Sequence, residues 1–207
     1  RRDPETLDVI DRVTFGDGAN REPWGGLLFV PHDASGNTGT IYVAGWTFGS
    51  FDDNAEPQIP ALADRNTWLA AFDQDLNLLW AETIGTPESD WPWDMAYQDG
   101  FLYVVGQTYG ETATHVQMGQ GDGFVAKIDV AAEGDGRLVW LSTIGTHEGD
   151  DIRRVEIWDD SLHVVGHTWG AFSGYVNQGN TDVWYKELFS FELSSVSFGN
   201  TDRDLNS

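Results

Sequence analysis

The sequence predicts an all-β fold in which one four-stranded sheet is written three times, and three observations predict it. A nine-residue pattern recurs as Ile41–Gly49, Leu102–Gly110 and Leu162–Gly170, with its central glycines, Gly45, Gly106 and Gly166, spaced 61 and then 60 residues apart. Twenty-four glycines punctuate short runs of β-branched and aromatic residues, the composition of strands joined by tight turns. No window carries an apolar stripe at helical spacing, so almost no helix is expected. Four short strands per unit of about sixty residues is the content of one β-propeller blade.

Aligning on the glycine-bearing strands, each called B, sets the other elements in order. Val9–Gly16 opens the chain as a D-type strand, with residues 7–16 assigned to a preceding or closing blade. The first blade, about 24–85, takes Trp24–Val30 as A, then B, then Thr67–Asp73 as C and Leu78–Gly85 as D. The second, about 90–145, runs Trp91–Gln98, B, Gly123–Asp129 and Leu138–Gly145. The third, about 150–199, runs Asp151–Trp158, B, Asp182–Phe189 and a fainter Phe191–Gly199. Apolar bulk on both faces of strand B, with Leu102 and Val104 against Tyr103 and Val105, suits a sheet sandwiched between two neighbours. The glycine within it marks a bulge or a close backbone approach.

These residues resemble the bacterial β-propeller repeats called SBBP. The carriers are Asp122-Gly123-Phe124-Val125-Ala126-Lys127-Ile128-Asp129, Leu141-Ser142-Thr143-Ile144-Gly145, Glu148-Gly149-Asp150-Asp151 and Val164-Val165-Gly166-His167-Thr168. The likeness covers nearly the whole chain and is strongest from Asp90 to Lys186; Trp68 replaces the family's Phe, and the first unit carries an insertion at His32–Thr40. The resemblance implies a propeller of exported or surface proteins and brings no catalytic residues with it. Propellers close with roughly four to eight blades, so three blades imply further blades of a longer polypeptide or completion by another chain.

Charge narrows the function classes. With 34 acidic against 11 basic residues the net charge is −23, which repels phosphate backbones and anionic membrane surfaces. A divalent ion, a cationic partner or a salt-rich habitat fits better. There is no cysteine, hence no disulfide or thiolate chemistry, and no apolar run long enough to span a membrane.

In an antiparallel blade the D-to-A and B-to-C connections leave by the same end. That end receives the long loops Gly49–Asn66, Gly110–Asp122 and Gly170–Thr181, and loops on a rigid scaffold are where binding concentrates. It also receives acidic residues that suit Ca²⁺, the candidate ligands being Asp17, Glu88, Asp90, Glu148, Asp150 and Asp151, although none follows a dedicated calcium-loop spacing. Hydrogen bonds that pin each turn account for the same residues.

Position 46/107/167 differs between copies, as Trp46, Gln107 and His167, and these three are candidate partner-facing residues; blade-specific packing explains the same variation. Trp46, Trp91, Trp93, Trp158, Trp169 and Trp184 offer sugar-stacking surfaces or, more in keeping with β-rich repeats, inter-blade filler. Asp73–Trp80 resembles an Asp-box hairpin, in which Asp75 would hold the turn and Asn77 would take the left-handed position. Carboxylates are plentiful, yet no pair stands out for glycoside hydrolysis, and only Arg153 and Arg154 adjoin. The expected function is a non-enzymatic exported scaffold that binds a protein through its long-loop end. The alternatives are a Ca²⁺- or glycan-binding propeller and, less favoured, a glycoside hydrolase.

Overall fold

The computed structural model describes residues 21–22, 25–32, 39–48, 65–111, 117–133 and 137–189. They form an all-β structure with no helix among them, arranged as three antiparallel sheets. The first contains β1 (Arg21–Glu22), β2 (Leu27–Val30), β3 (Thr40–Thr47), β4 (Asn66–Phe72) and β5 (Leu78–Ile84). The second runs in order β6 (Asp90–Gln98), β7 (Phe101–Thr108), β8 (Asp122–Asp129) and β9 (Leu138–Ile144), and the third β10 (Asp150–Trp158), β11 (Ser161–Thr168) and β12 (Asp182–Phe189). The D-type strands expected at Val9–Gly16 and Phe191–Gly199 lie outside the described residues.

One expected element changes form. The opening strand of the first sheet is in two pieces rather than the single run Trp24–Val30. Glu22 pairs with Trp46 at one end of β3, and Leu27 to Val30 pair with Val43 to Thr40 at the other. The cause is a bulge that recurs in the sheets that follow. The β6–β7 register slips at Trp93, between Pro92 and Asp94, and the β10–β11 register slips at Arg153, between Ile152 and Arg154. Pro92 has no N–H to offer a ladder, and a bulge on an edge strand is where proline is tolerated.

The repeated glycine makes this bulge feasible. Gly45, Gly106 and Gly166 each pair with an aromatic on the next strand, Trp68, Phe124 and Trp184. A Cβ on Gly106 would sit on the Trp91 carbonyl oxygen and 2.6 Å from the Phe124 ring; one on Gly166 would sit on the Asp151 carbonyl oxygen and 2.9 Å from Trp184. Where the aromatic is an indole its N–H is used as well: Trp68 Nε1 donates to the Trp46 carbonyl (3.1 Å) and Trp184 Nε1 to that of His167 (3.0 Å).

The sheets pack face to face, each approaching its predecessor through its first strand. β6 lies across β2, β3 and β4, and β10 lies across β6, β7 and β8. Tyr42, Ala44, Leu69 and Ala71 meet Met95, Leu102, Val104 and Phe124 in the first interlayer core. Tyr103, Val105 and Val125 meet Ile152, Val155 and Val164 in the second. Arg137 reinforces the first interface: it ion-pairs with Glu82 at 2.9 Å, stacks on Trp80 at 4.2 Å and donates to the Val130 carbonyl.

The hairpin Asp73–Trp80 is held differently from the expectation. Asp73, not Asp75, takes the turn amides, its Oδ1 accepting from Asp75 N (2.9 Å) and Asn77 N (2.8 Å). Leu76, not Asn77, has the positive φ of 64°. Spacing alone does not say which of two nearby aspartates faces the turn.

Gly106→Ala and Gly166→Ala must push either the bulge carbonyl or the aromatic aside, which predicts a loss of about 2–3 kcal/mol each in chemical denaturation. Gly100→Ala, whose Cβ would meet nothing within 4 Å, is strained only by its φ of 86° and should cost about 1–2 kcal/mol. Equal losses at Gly100 and Gly106 would contradict the close-approach account.

Candidate functional site

The loops that share one end of the sheets are tied together by short polar contacts. Aspartates that begin strands reach back four residues to a loop amide: Asp90 to Thr86 (2.7 Å), Asp150 to Thr146 (2.6 Å), Asp122 to Met118 (3.0 Å) and Asp182 to Gln178 (2.7 Å). Each such carboxylate satisfies a donor that would otherwise be stranded in a turn. The loops then bond to one another. Tyr109 N donates to the Ser89 carbonyl, Trp169 N to Gly149, Asp90 N to Arg65 and Asp150 N to Gly121.

Asp90 and Asp150 occupy the same position in successive loops, and both are almost fully buried. The Thr86 hydroxyl contacts the Asp90 carboxylate at 3.2 Å and Thr108 Oγ1 at 3.3 Å; the Thr146 hydroxyl contacts Asp150 Oδ2 at 2.9 Å. Burial outweighs these donors. It pushes the Asp90 carboxyl up to about 7, against the lowering effect of the Thr108 and Thr86 bonds and with a small push from Glu88. Burial likewise lifts Asp150 to about 6, against the lowering effect of the Thr168 and Thr146 bonds and with Asp122 adding repulsion, and among the described residues no donor reaches Asp150 Oδ1.

Side chains from all three sheets surface at this end. From the first, the Arg65 guanidinium lies over the rings of Trp46 (4.9 Å), Phe48 (5.4 Å) and, across the interface, Trp91 (5.4 Å). Trp91 continues edge-on to Trp93 (6.4 Å) and Tyr109 (5.5 Å). Trp93 carries Arg153 of the third sheet on its ring at 4.1 Å. Asp151, fully buried, anchors that arginine with bonds of 2.8 and 2.6 Å, takes the His167 amide at 2.9 Å and lies 3.4 Å from His167 Nδ1. The result is a ladder, Arg65–Trp91–Trp93–Arg153, with His167 and Trp169 at its far end. Among the described residues Arg65 has no carboxylate within ion-pair distance, although the chain carries 34 acidic residues.

The candidate residues therefore part company. Glu88 and Glu148 are exposed on their loops, Asp90 and Asp150 are buried beneath them, and Asp151 faces Arg153; Asp17 lies outside the described residues. No three acidic or histidine side chains among the described residues are grouped to hold a metal ion. Trp46 is under Arg65, Gln107 is buried with its Nε2 on the Asp150 carbonyl (3.0 Å), and His167 is half-exposed beside Asp151. One position in three copies thus has three jobs. Sequence reasoning did not single out Arg65 or Phe48. A basic residue just before strand C was the available signal, since Gly121 and Thr181 stand there in the other copies. No protein-family profile matches the chain, and no curated protein does.

The raised carboxyls fix a pH signature. The ordinary aspartate value is about 3.9, so between about pH 4 and 7 the folded chain holds protons that the unfolded chain releases. The contribution of these groups is fully present below pH 4 and is lost as pH rises through 6 to 7. Asp90→Asn keeps the shape and the acceptor for the Thr86 amide without the charge. Its stability relative to the parent should improve from about pH 4 to about pH 7 and then level off in thermal melts, and a pH-independent difference would contradict the buried-carboxyl account.

Proposed function

We propose that the chain is three blades of a β-propeller of SBBP type, a non-enzymatic, exported or surface-located module that binds another protein through its long-loop end. The observation that carries the reading is the aromatic–arginine ladder, to which every described sheet contributes. Protein interfaces concentrate their energy in Trp, Tyr and Arg held rigid at a patch centre, and this ladder has that composition on a loop-bearing face. Guanidinium stacking on three rings orders Arg65 before any partner arrives, so little side-chain entropy remains to be lost on binding. The fold supports the blade assignment through its antiparallel sheets, four strands in the second and three described strands in the third, and through their face-to-face packing. Three such blades leave the array open, to be completed by further blades or by another chain.

A glycan is the second reading, favoured by Trp169, 43% exposed at the same end, and by the half-buried rings of Trp91 and Trp93. Calcium bound through Glu88, Asp90, Glu148, Asp150 and Asp151 is a third, and it is separable because preferential binding to the folded state raises its melting temperature.

Photocrosslinking from position 48 in the native exported protein mixture, followed by titration of the captured protein, tests the reading. Arg65→Ala and Trp46→Ala are expected to weaken that complex roughly tenfold or more while leaving the β-sheet circular dichroism unchanged. Glycan-array binding that disappears in Trp46→Ala would replace the protein partner with a sugar. A melting temperature raised by millimolar Ca²⁺ and insensitive to both substitutions would favour the metal.

A further inference from the structure

Three arginines among the described residues are built alike, and one of them is incomplete. Each guanidinium lies over an indole ring: Arg137 over Trp80 at 4.2 Å, Arg153 over Trp93 at 4.1 Å and Arg65 over Trp46 at 4.9 Å. Stacking occupies the flat face of a guanidinium and leaves its five N–H groups, which radiate in the plane, to find acceptors. Arg137 finds Glu82 at 2.9 Å and the Val130 carbonyl, and Arg153 finds Asp151 at 2.8 and 2.6 Å. Arg65 has three rings around it, Trp46, Phe48 and Trp91, yet its guanidinium meets no acceptor among the described residues. The one donor it uses there is its backbone N–H, which reaches Ser89 Oγ at 3.3 Å. Glu88, the residue before Ser89 on that loop, makes no ion pair with it.

The missing group is an acceptor that matches a planar fork, and in both complete cases it is a carboxylate. Arg65 is half-buried among its rings and has shed part of its water, so an acceptor delivered there gains more than one met in open solvent. The seat reaches the surface at Phe48, which is 36% exposed. The charge of the chain decides what carries the carboxylate. A net charge of −23, with Glu88 and Glu148 exposed on neighbouring loops, repels a polyanion and draws in a cationic surface. A single carboxylate set among basic neighbours on a protein segment meets both demands. A uronate or sulfated polymer, anionic throughout, meets only the demand of Arg65.

We propose that Arg65 receives a carboxylate side chain from a basic segment of the protein that docks on the long-loop end. That carboxylate completes at Arg65 the arrangement that Glu82 completes at Arg137 and Asp151 at Arg153. The assignment rests on the partner-binding reading above and gives the chemistry of that partner's central contact.

Fluorescence anisotropy of the full chain at low salt tests this with two dye-labelled, end-blocked peptides, Lys-Leu-Glu-Leu-Lys and Lys-Leu-Gln-Leu-Lys. Attraction by net charge alone favours the glutamine peptide, which is the more positive of the two. The chain should instead bind the glutamate peptide roughly tenfold more tightly, the effect of one charge-assisted pair. Arg65→Gln should reverse the preference, and Arg65→Lys should keep its sign at reduced size because an ammonium lacks the fork. Arg154→Gln, which removes an exposed arginine elsewhere, should leave it unchanged. Equal affinities in the parent, or a preference that survives Arg65→Gln, overturn the proposal. So does a preference that emerges only when Asp52, Asp53, Glu56 and Asp64 are replaced by their amides, since the chain then supplies the carboxylate itself. Tetragalacturonate bound through Arg65 more tightly than the glutamate peptide replaces the protein segment with an acidic glycan and likewise overturns it. If position 48 still captures a protein while the two peptides bind equally, the carboxylate assignment fails and the partner-binding reading stands. Capture lost with the preference intact does the opposite.

Discussion

The structure depends on one steric vacancy. In the second and third sheets a carbonyl from the bulged first strand and an aromatic ring from the third strand converge on the same point of the second strand, and only a residue without a Cβ leaves room for both. Remove the vacancy and the bulge must straighten. Without the bulge, Trp93 and Arg153 no longer stand out of register with their neighbours. Two of the ladder's four members, Trp93 and Arg153, are those displaced residues, so that half of it is a by-product of how the strands are made to fit.

A second constraint fixes the loops above that vacancy. Asp90, Asp122, Asp150 and Asp182 each reach back to the amide four positions earlier, and the loops so pinned bond to one another. Burial lifts two of these carboxyls, Asp90 to about 7 and Asp150 to about 6. An acidic chain usually meets water with its carboxylates; here part of the acidity is turned inward, where it acts as hydrogen-bonding hardware. Threonines of the loop and of the neighbouring strand, Thr86 and Thr108 at Asp90 and Thr146 and Thr168 at Asp150, offset only part of the cost of that burial.

Strand order and the shared end of the long loops were legible because both follow from period and antiparallel connectivity. The glycine–aromatic pairing was legible in half: the glycines announced a close approach, but what approached them could not be read from spacing. The split first strand was missed because a bulge changes register without changing composition. Asp73 was passed over for Asp75 because the two lie two residues apart and only the turn geometry separates them. At the candidate site, position 46/107/167 was marked by its variability, and it resolves into a stacking platform, a buried amide and an exposed imidazole. Arg65 went unmarked because its importance lies in rings contributed from two sheets, a relation that no linear motif records.

The way the sheets meet has a mechanical corollary. Since each layer rests on its predecessor chiefly through one leading strand, the middle layer is the one clamped on both sides among the described residues, by its own β6 against the first sheet and by β10 of the third sheet against it. Such an assembly loosens from the outside inward. Among the described residues β5, β9 and β12 sit farthest from these clamps, and across the first interface Arg137, beside β9, fastens that far rim through Glu82 and Trp80 of β5, so the first two layers are gripped at both edges.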